Sequence, residues 1–125
     1  MEKDTCVTQH LSQCRRELKA VQDTMDILSG KWKISIMSCL RFSKKRFMDI
    51  QREVEGIGPK MLSKELQELE INGLIKRTVQ NTKPVIIEYE ITDYGQTLNP
   101  IINELAKWGA KHRKRIIHDP APVNQ

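Results

Sequence analysis

Apolar positions in this chain recur at helical spacing in several segments and cluster as β-branched runs in one. Leu18, Val21, Met25 and Leu28 lie three, four and three residues apart, which predicts an amphipathic helix stopping near Ser29-Gly30. The next stretch, KWKISIMSCLRF, is apolar on nearly every side, as expected for a central helix surrounded by others. SKK at 43–45 interrupts it, and RFMDIQREV predicts a short helix with Phe47, Ile50 and Val54 turned inward. After the loop EGIG, the stripe Leu62, Leu66 and Leu69 predicts a helix over 59–72, opened by Pro59 and ended by Gly73. LIKRTVQ and VIIEYEIT, joined by NTKP, predict a β-hairpin over 74–92, with Pro84 tolerated at a strand end. Thr92 can then N-cap a last helix whose stripe is Leu98, Ile101, Ile102, Leu105 and Trp108, closed by the basic run KHRKR.

Four helices, a hairpin and a helix is the order of a winged helix-turn-helix. The expected fold class is therefore mostly α with a small β-hairpin. The 125 residues suit one domain. Its expected organisation is an N-terminal arm at 1–17, the domain at 18–117 and a disordered tail at 118–125, HDPAPVNQ. The stripes at 18–28 and 98–108 hold more large apolar residues than a small monomer core needs, so they predict a homodimer. Leu18, Val21, Leu98, Ile101, Leu105 and Trp108 are the candidate interface residues.

Charge narrows the function. The net charge of +5 and the pI near 9.2 favour a polyanionic partner. No apolar run approaches the ~18 residues that cross a membrane, and the N-terminus lacks the apolar core of a secretory signal. Three cysteines at no framework spacing fit a reducing compartment, so a cytoplasmic protein is expected. No phosphate-cradling glycine loop, nucleophile elbow or HExxH is present, and no enzyme or cofactor is expected. Cys6, His10 and Cys14 fall four residues apart, but a helix rising ~1.5 Å per residue would hold the outer two about 12 Å apart. Zinc bonds of ~2.0–2.3 Å cannot gather all three, so no metal is expected.

The helix at 59–72 carries an anomaly. Lys60 and Lys64 stand in its first two turns, where the helix dipole disfavours positive charge. In a helix-turn-helix, the second helix lies in the major groove with its N-terminal residues towards the bases. Lys60, Ser63, Lys64 and Gln67 are then candidate DNA contacts, giving up a little helix stability for phosphate or base contact. Lys76, Arg77 and Lys83 flank a hairpin tip of Gln80, Asn81 and Thr82, and a wing of that kind can follow phosphates or enter a minor groove. Asn81 and Lys83 are its candidate contacts. Arg46 is a candidate backbone clamp, with Lys44 and Lys45 beside it.

GKWKISIM (30–37), KRFMDIQ (45–51), GIGPKMLSKELQELEINGLIKR (56–77), VIIEYEITDYG (85–95) and Trp108-Gly109 resemble the HxlR family of winged helix-turn-helix transcription regulators, in unbroken order through 18–109. The resemblance implies a dimeric DNA-binding regulator. Its recognition helix is the one after the glycine-containing turn, and its N- and C-terminal helices build the dimer. Two such helices would read a short, roughly palindromic double-stranded DNA site in successive major grooves about 34–36 Å apart. Gly58 departs from the hydroxyl residue more usual before this helix, which weakens the cap. Some members sense oxidants through a cysteine ahead of GKW, often in a Cys-Pro pair that this chain lacks. Cys14, beside Arg15 and Arg16, is the redox candidate, because adjacent cations favour the thiolate. Cys39 is expected in the core. The rival reading is a winged-helix module for protein interaction or RNA association, without sequence-specific DNA readout. A recognition stripe without base-edge donors would favour that rival, and Lys60, Ser63, Lys64 and Gln67 are such donors.

Overall fold

The computed structural model describes residues 2–118, with side chains from residue 8 onward. The expected tail lies outside the described residues, except His118, which ends the last helix. The elements are α1 (Glu2–Leu28), α2 (Lys33–Leu40), β1 (Lys45–Arg46), α3 (Phe47–Glu53), α4 (Pro59–Ile71), β2 (Ile75–Gln80), β3 (Ile86–Ile91), α5 (Asp93–Gln96) and α6 (Asn99–His118). The three strands form one antiparallel sheet in the order β1-β3-β2, with Arg77 opposite Tyr89 and Tyr89 opposite Lys45. This is a winged helix-turn-helix.

α1 begins far ahead of Leu18, so the segment expected to be a separate arm continues the same helix. No Gly or Pro interrupts residues 2–28, and Leu11 and Cys14 extend the apolar stripe backwards at the same three–four spacing. The helix holds 27 residues, or about 40 Å at ~1.5 Å per residue. Among its described side chains only Leu28 is buried and Ile27 half-buried; those at 8–26 are exposed, with Thr24 bordering the domain beside Leu74, Tyr94 and Leu98.

The core joins Ile36, Met37 and Leu40 of α2 to Ile50, Val54 and Ile57 around the turn, to Leu62, Leu66 and Leu69 of α4, and to Leu74, Ile75 and Ile102. The three α4 leucines are 0%, 1% and 0% exposed. Each such burial is worth about 1.5–3 kcal/mol, so α4 is fixed by one face and leaves the opposite one to solvent. α4 ends in a Schellman motif. Gly73, at φ 74°, donates to Glu70 O at 3.0 Å and Leu74 donates to Leu69 O at 3.0 Å. Thr92 then ties the base of the hairpin to this corner through a hydroxyl donating to Gly73 O at 2.6 Å.

The last helical region is two helices, not one. Thr92 caps only the short α5, accepting from Gly95 N at 3.0 Å, and α6 restarts at Asn99 with Pro100 in its first turn. Gly95 packs so tightly under Leu74 that a Cβ there would lie 2.1 Å from Leu74 O. Leu98, expected on the dimer stripe, is half-buried against the monomer core at this break.

Candidate nucleic-acid interface

Lys60, Ser63, Lys64 and Gln67 are all exposed on α4, along the side opposite its buried leucines. Among the described residues, neither lysine has a carboxylate within ion-pair distance, so both ammonium groups are uncommitted. Gly58 provides no side-chain cap, as expected, which leaves the amide groups of the first turn open at the positive end of the helix dipole.

The acids on α4 are disposed away from that crest. Glu65 is buried and, with Glu68, turns to the flank that faces α2, where both meet Lys33. The Lys33 ammonium lies 2.8 Å from Glu65 Oε2, 2.5 Å from Glu68 Oε2 and 3.4 Å from Ser29 O. Burial pulls the Lys33 pKa down, but the two carboxylates outweigh it and the net shift is upward. The hydrogen bond from Lys33 lowers the Glu68 carboxyl in turn. Nothing in the sequence singles out Lys33, which falls inside an apolar helix. Its effect is to neutralise charge that would otherwise repel a polyanion beside Lys60 and Lys64. Glu70 is the acid left exposed, in the last turns.

Arg46 is exposed in β1 immediately ahead of α3, which places it on the sheet edge opposite β2. Its neighbours are committed. Lys45 is half-buried and bound to Glu53, and Lys44 lies 3.9 Å from Glu88. Of the three, Arg46 alone has no ion-pair partner among the described residues. On the wing, Lys76 pairs with Glu90 at 3.0 Å and Gln80 donates to Glu88 at 2.7 Å. Asn81 and Lys83 stay exposed at the tip, where the Thr82 hydroxyl donates to Pro84 O at 2.7 Å.

The remaining candidates divide. Leu18, Val21, Ile101, Leu105 and Trp108 are 56%, 57%, 46%, 50% and 67% exposed. Trp108 stacks on His112 with ring centroids 5.1 Å apart, outside the monomer core. Cys14 is an exposed free thiol on the α1 stripe. Cys39 packs against the core but is only half-buried, and it donates to Glu53 Oε2 at 3.0 Å while Lys45 Nζ lies 3.7 Å from its sulfur. Burial and the Glu53 carboxylate push its thiol up to about 11. Among the described residues, no helix is long and apolar enough to cross a membrane, and no three metal-ligating side chains cluster. The Cys6 side chain lies outside the described ones.

Residues 27–117 match the model of the HxlR-like helix-turn-helix family. The chain is 40% identical over 104 residues to YtcD, an HTH-type transcriptional regulator of Bacillus subtilis (strain 168), covering 83% of this chain and 82% of YtcD. A crystal structure of YtcD superposes with a TM-score of 0.73 at 41% identity, over 76% of this chain and 97% of that one. The redox regulator HypR in its reduced form superposes with a TM-score of 0.74 at 34% identity, over 79% of this chain and 98% of that one.

Proposed function

Because this chain belongs to the HxlR-like helix-turn-helix family and is a DNA-binding transcriptional regulator, we propose that it works in the cytoplasm as a homodimer reading a roughly palindromic site with α4 and the wing. The observation that carries the reading is the crest of α4. It gathers two uncommitted ammonium groups, a hydroxyl and an amide, while Lys33 holds Glu65 and Glu68 on the other flank. Arg46, Asn81 and Lys83 supply contacts to either side of that crest. A protein-interaction module would gain nothing from such a separation of charge.

The form of α1 supports the dimer. A helix this long gains little from propensity alone and needs a packed face. Its stripe Leu11, Cys14, Leu18, Val21, Met25 keeps the three–four spacing of a two-helix seam and is exposed throughout. Ile101, Leu105 and Trp108 of α6 add a second exposed apolar face. Cys14 lies on the α1 seam, so a change at its sulfur acts between protomers and alters the separation of the two α4 helices. An oxidant response at Cys14 is in keeping with that position and with the redox regulator among the structural neighbours.

Selection of bound sequences from a random duplex pool supplies an operator on which the α4 reading is tested. Lys60→Ala and Lys64→Ala should each lower the magnitude of the log K against log salt slope by about 0.9 for every phosphate that is no longer neutralised. Wild-type affinity and slope in both variants would refute it.

A further inference from the structure

α4 and the wing meet in an open crevice of ≈ 290 Å³ lined by Ser63, Leu66, Gln67, Glu70, Arg77 and Tyr89. When a recognition helix occupies a major groove and a wing the adjoining minor groove, the phosphodiester strand dividing the two grooves has to cross the gap between helix and wing. The lining suits that strand. Arg77 is exposed and, among the described residues, has no carboxylate within ion-pair distance, whereas the preceding Lys76 is held by Glu90. Strand alternation explains the difference. Arg77 shares a face of β2 with the buried Ile75, which is the face packed towards α4, and Lys76 points the other way. Tyr89 stands directly across from Arg77 in β3, so its ring and the guanidinium share one wall. Ser63 and Gln67, one helical turn apart, form the other. Glu70 is the single acid in the lining and sits towards the C-terminal end of α4.

We propose that this crevice seats one backbone phosphate of the bound duplex and that Arg77 grips it. The proposal rests on the α4-and-wing reading above. A guanidinium meets a phosphate in a planar, two-bond geometry that a lysine cannot reproduce. A phosphate held there sets the distance between helix and wing on the duplex, and carries no base information of its own.

The test measures wild type, Arg77→Gln, Glu70→Gln and Lys60→Ala on the selected operator. The duplexes each carry one neutral methylphosphonate, moved along the backbone in turn. Arg77→Gln should lose about ten- to a hundred-fold in affinity, on operator and on unrelated DNA alike, with a salt slope smaller by about 0.9. One methylphosphonate position should weaken wild type and leave Arg77→Gln unchanged. Glu70→Gln keeps the arginine and removes the acid opposing the phosphate, so it should bind more tightly than wild type. Should Arg77→Gln fail to fold, this gain and the position-specific loss in wild type carry the test. Wild-type affinity for Arg77→Gln, with Lys60→Ala weakened, overturns the phosphate seat and leaves the recognition helix standing. A loss confined to one base-pair identity, with no position-specific methylphosphonate effect, also overturns it and makes Arg77 a base reader. If Lys60→Ala is unaffected too, the α4 reading and the seat fall together.

Discussion

Replacing Lys33 by Met should strongly destabilise the domain, and replacing its partner as well should restore it. The Lys33 side chain is 6% exposed and that of Glu65 is 7% exposed. Lys33→Met therefore leaves a carboxylate buried without its cation. Breaking a buried pair in this way costs about 3–5 kcal/mol, against a typical domain stability of about 5–15 kcal/mol. With a urea dependence of ~1–3 kcal/mol per molar, the unfolding midpoint should fall by about 1–5 M. In Lys33→Met/Glu65→Leu the charge is gone, two apolar side chains meet at the same place, and stability should return to wild type or exceed it. The pH dependence has a definite sign. Glu68 is lowered from 4.5 by its bond to Lys33, so that contribution is complete above pH ~4.5 and fades as pH falls through the lowered value. Lys33 is raised from 10.5, so its contribution is complete below pH ~10.5 and is lost as pH rises through the raised value. The gap between wild type and Lys33→Met is thus widest between those limits and narrows in acid. The assay is urea unfolding followed by far-UV circular dichroism at pH 7.5 and pH 4, at one protein concentration, since association shifts apparent stability. A Lys33→Met midpoint equal to wild type at pH 7.5 would show that Lys33 and Glu65 are not a buried pair.

Leu105→Glu and Trp108→Glu sit on exposed positions, so they should leave the monomer fold intact by circular dichroism and halve the molar mass seen by light scattering; a wild-type protein that is already monomeric at micromolar concentration would refute the dimer. Gly95→Ala should destabilise by about 2 kcal/mol or more, read as a lower thermal midpoint, because its methyl would meet the backbone oxygen of Leu74; an unchanged midpoint would mean that the α5 corner yields freely. Iodoacetamide at pH 7 should modify the exposed Cys14 well before Cys39, whose thiol is half-buried and pushed up to about 11, and raising the pH towards that value should close the gap. Diamide should change operator affinity in wild type and leave Cys14→Ser unaffected; equal affinities of treated and untreated wild type would make Cys14 an incidental thiol.

The helix-turn-helix was legible because its signals are local. Leu62, Leu66 and Leu69 mark one face, Gly56 and Gly58 mark the turn, and Gly73 marks the stop. The hairpin was legible for the same reason. Lys33 was not, because a charged residue among apolar ones says nothing of partners on another helix more than thirty residues away. That partnership decides where two acids of α4 point, so the electrostatics of the crest only became visible once α2 and α4 were packed. β1 is two residues long and exists only through pairing with β3. The start of α1 was obscured by polar residues between sparse apolar ones, a pattern that leaves the described side chains before Ile27 exposed. Arg77 and Lys76 are indistinguishable as sequence neighbours, and strand alternation alone gives one to Glu90 and the other to the crevice.

The long α1, exposed from Thr8 to Asp26, has a consequence for dosage in the proposed dimer. A reader of DNA assembled from two copies through such a helix is present, when dilute, in proportion to the square of the number of chains. Halving the copy number then quarters the occupied operators, and doubling it quadruples them, until assembly saturates. Promoters under this protein should therefore respond to small changes in its own synthesis more steeply than they would to a monomeric regulator of equal affinity. Chains left out of that dimer would carry an unpacked helix, open to proteases that the assembled form excludes, which steepens the response further.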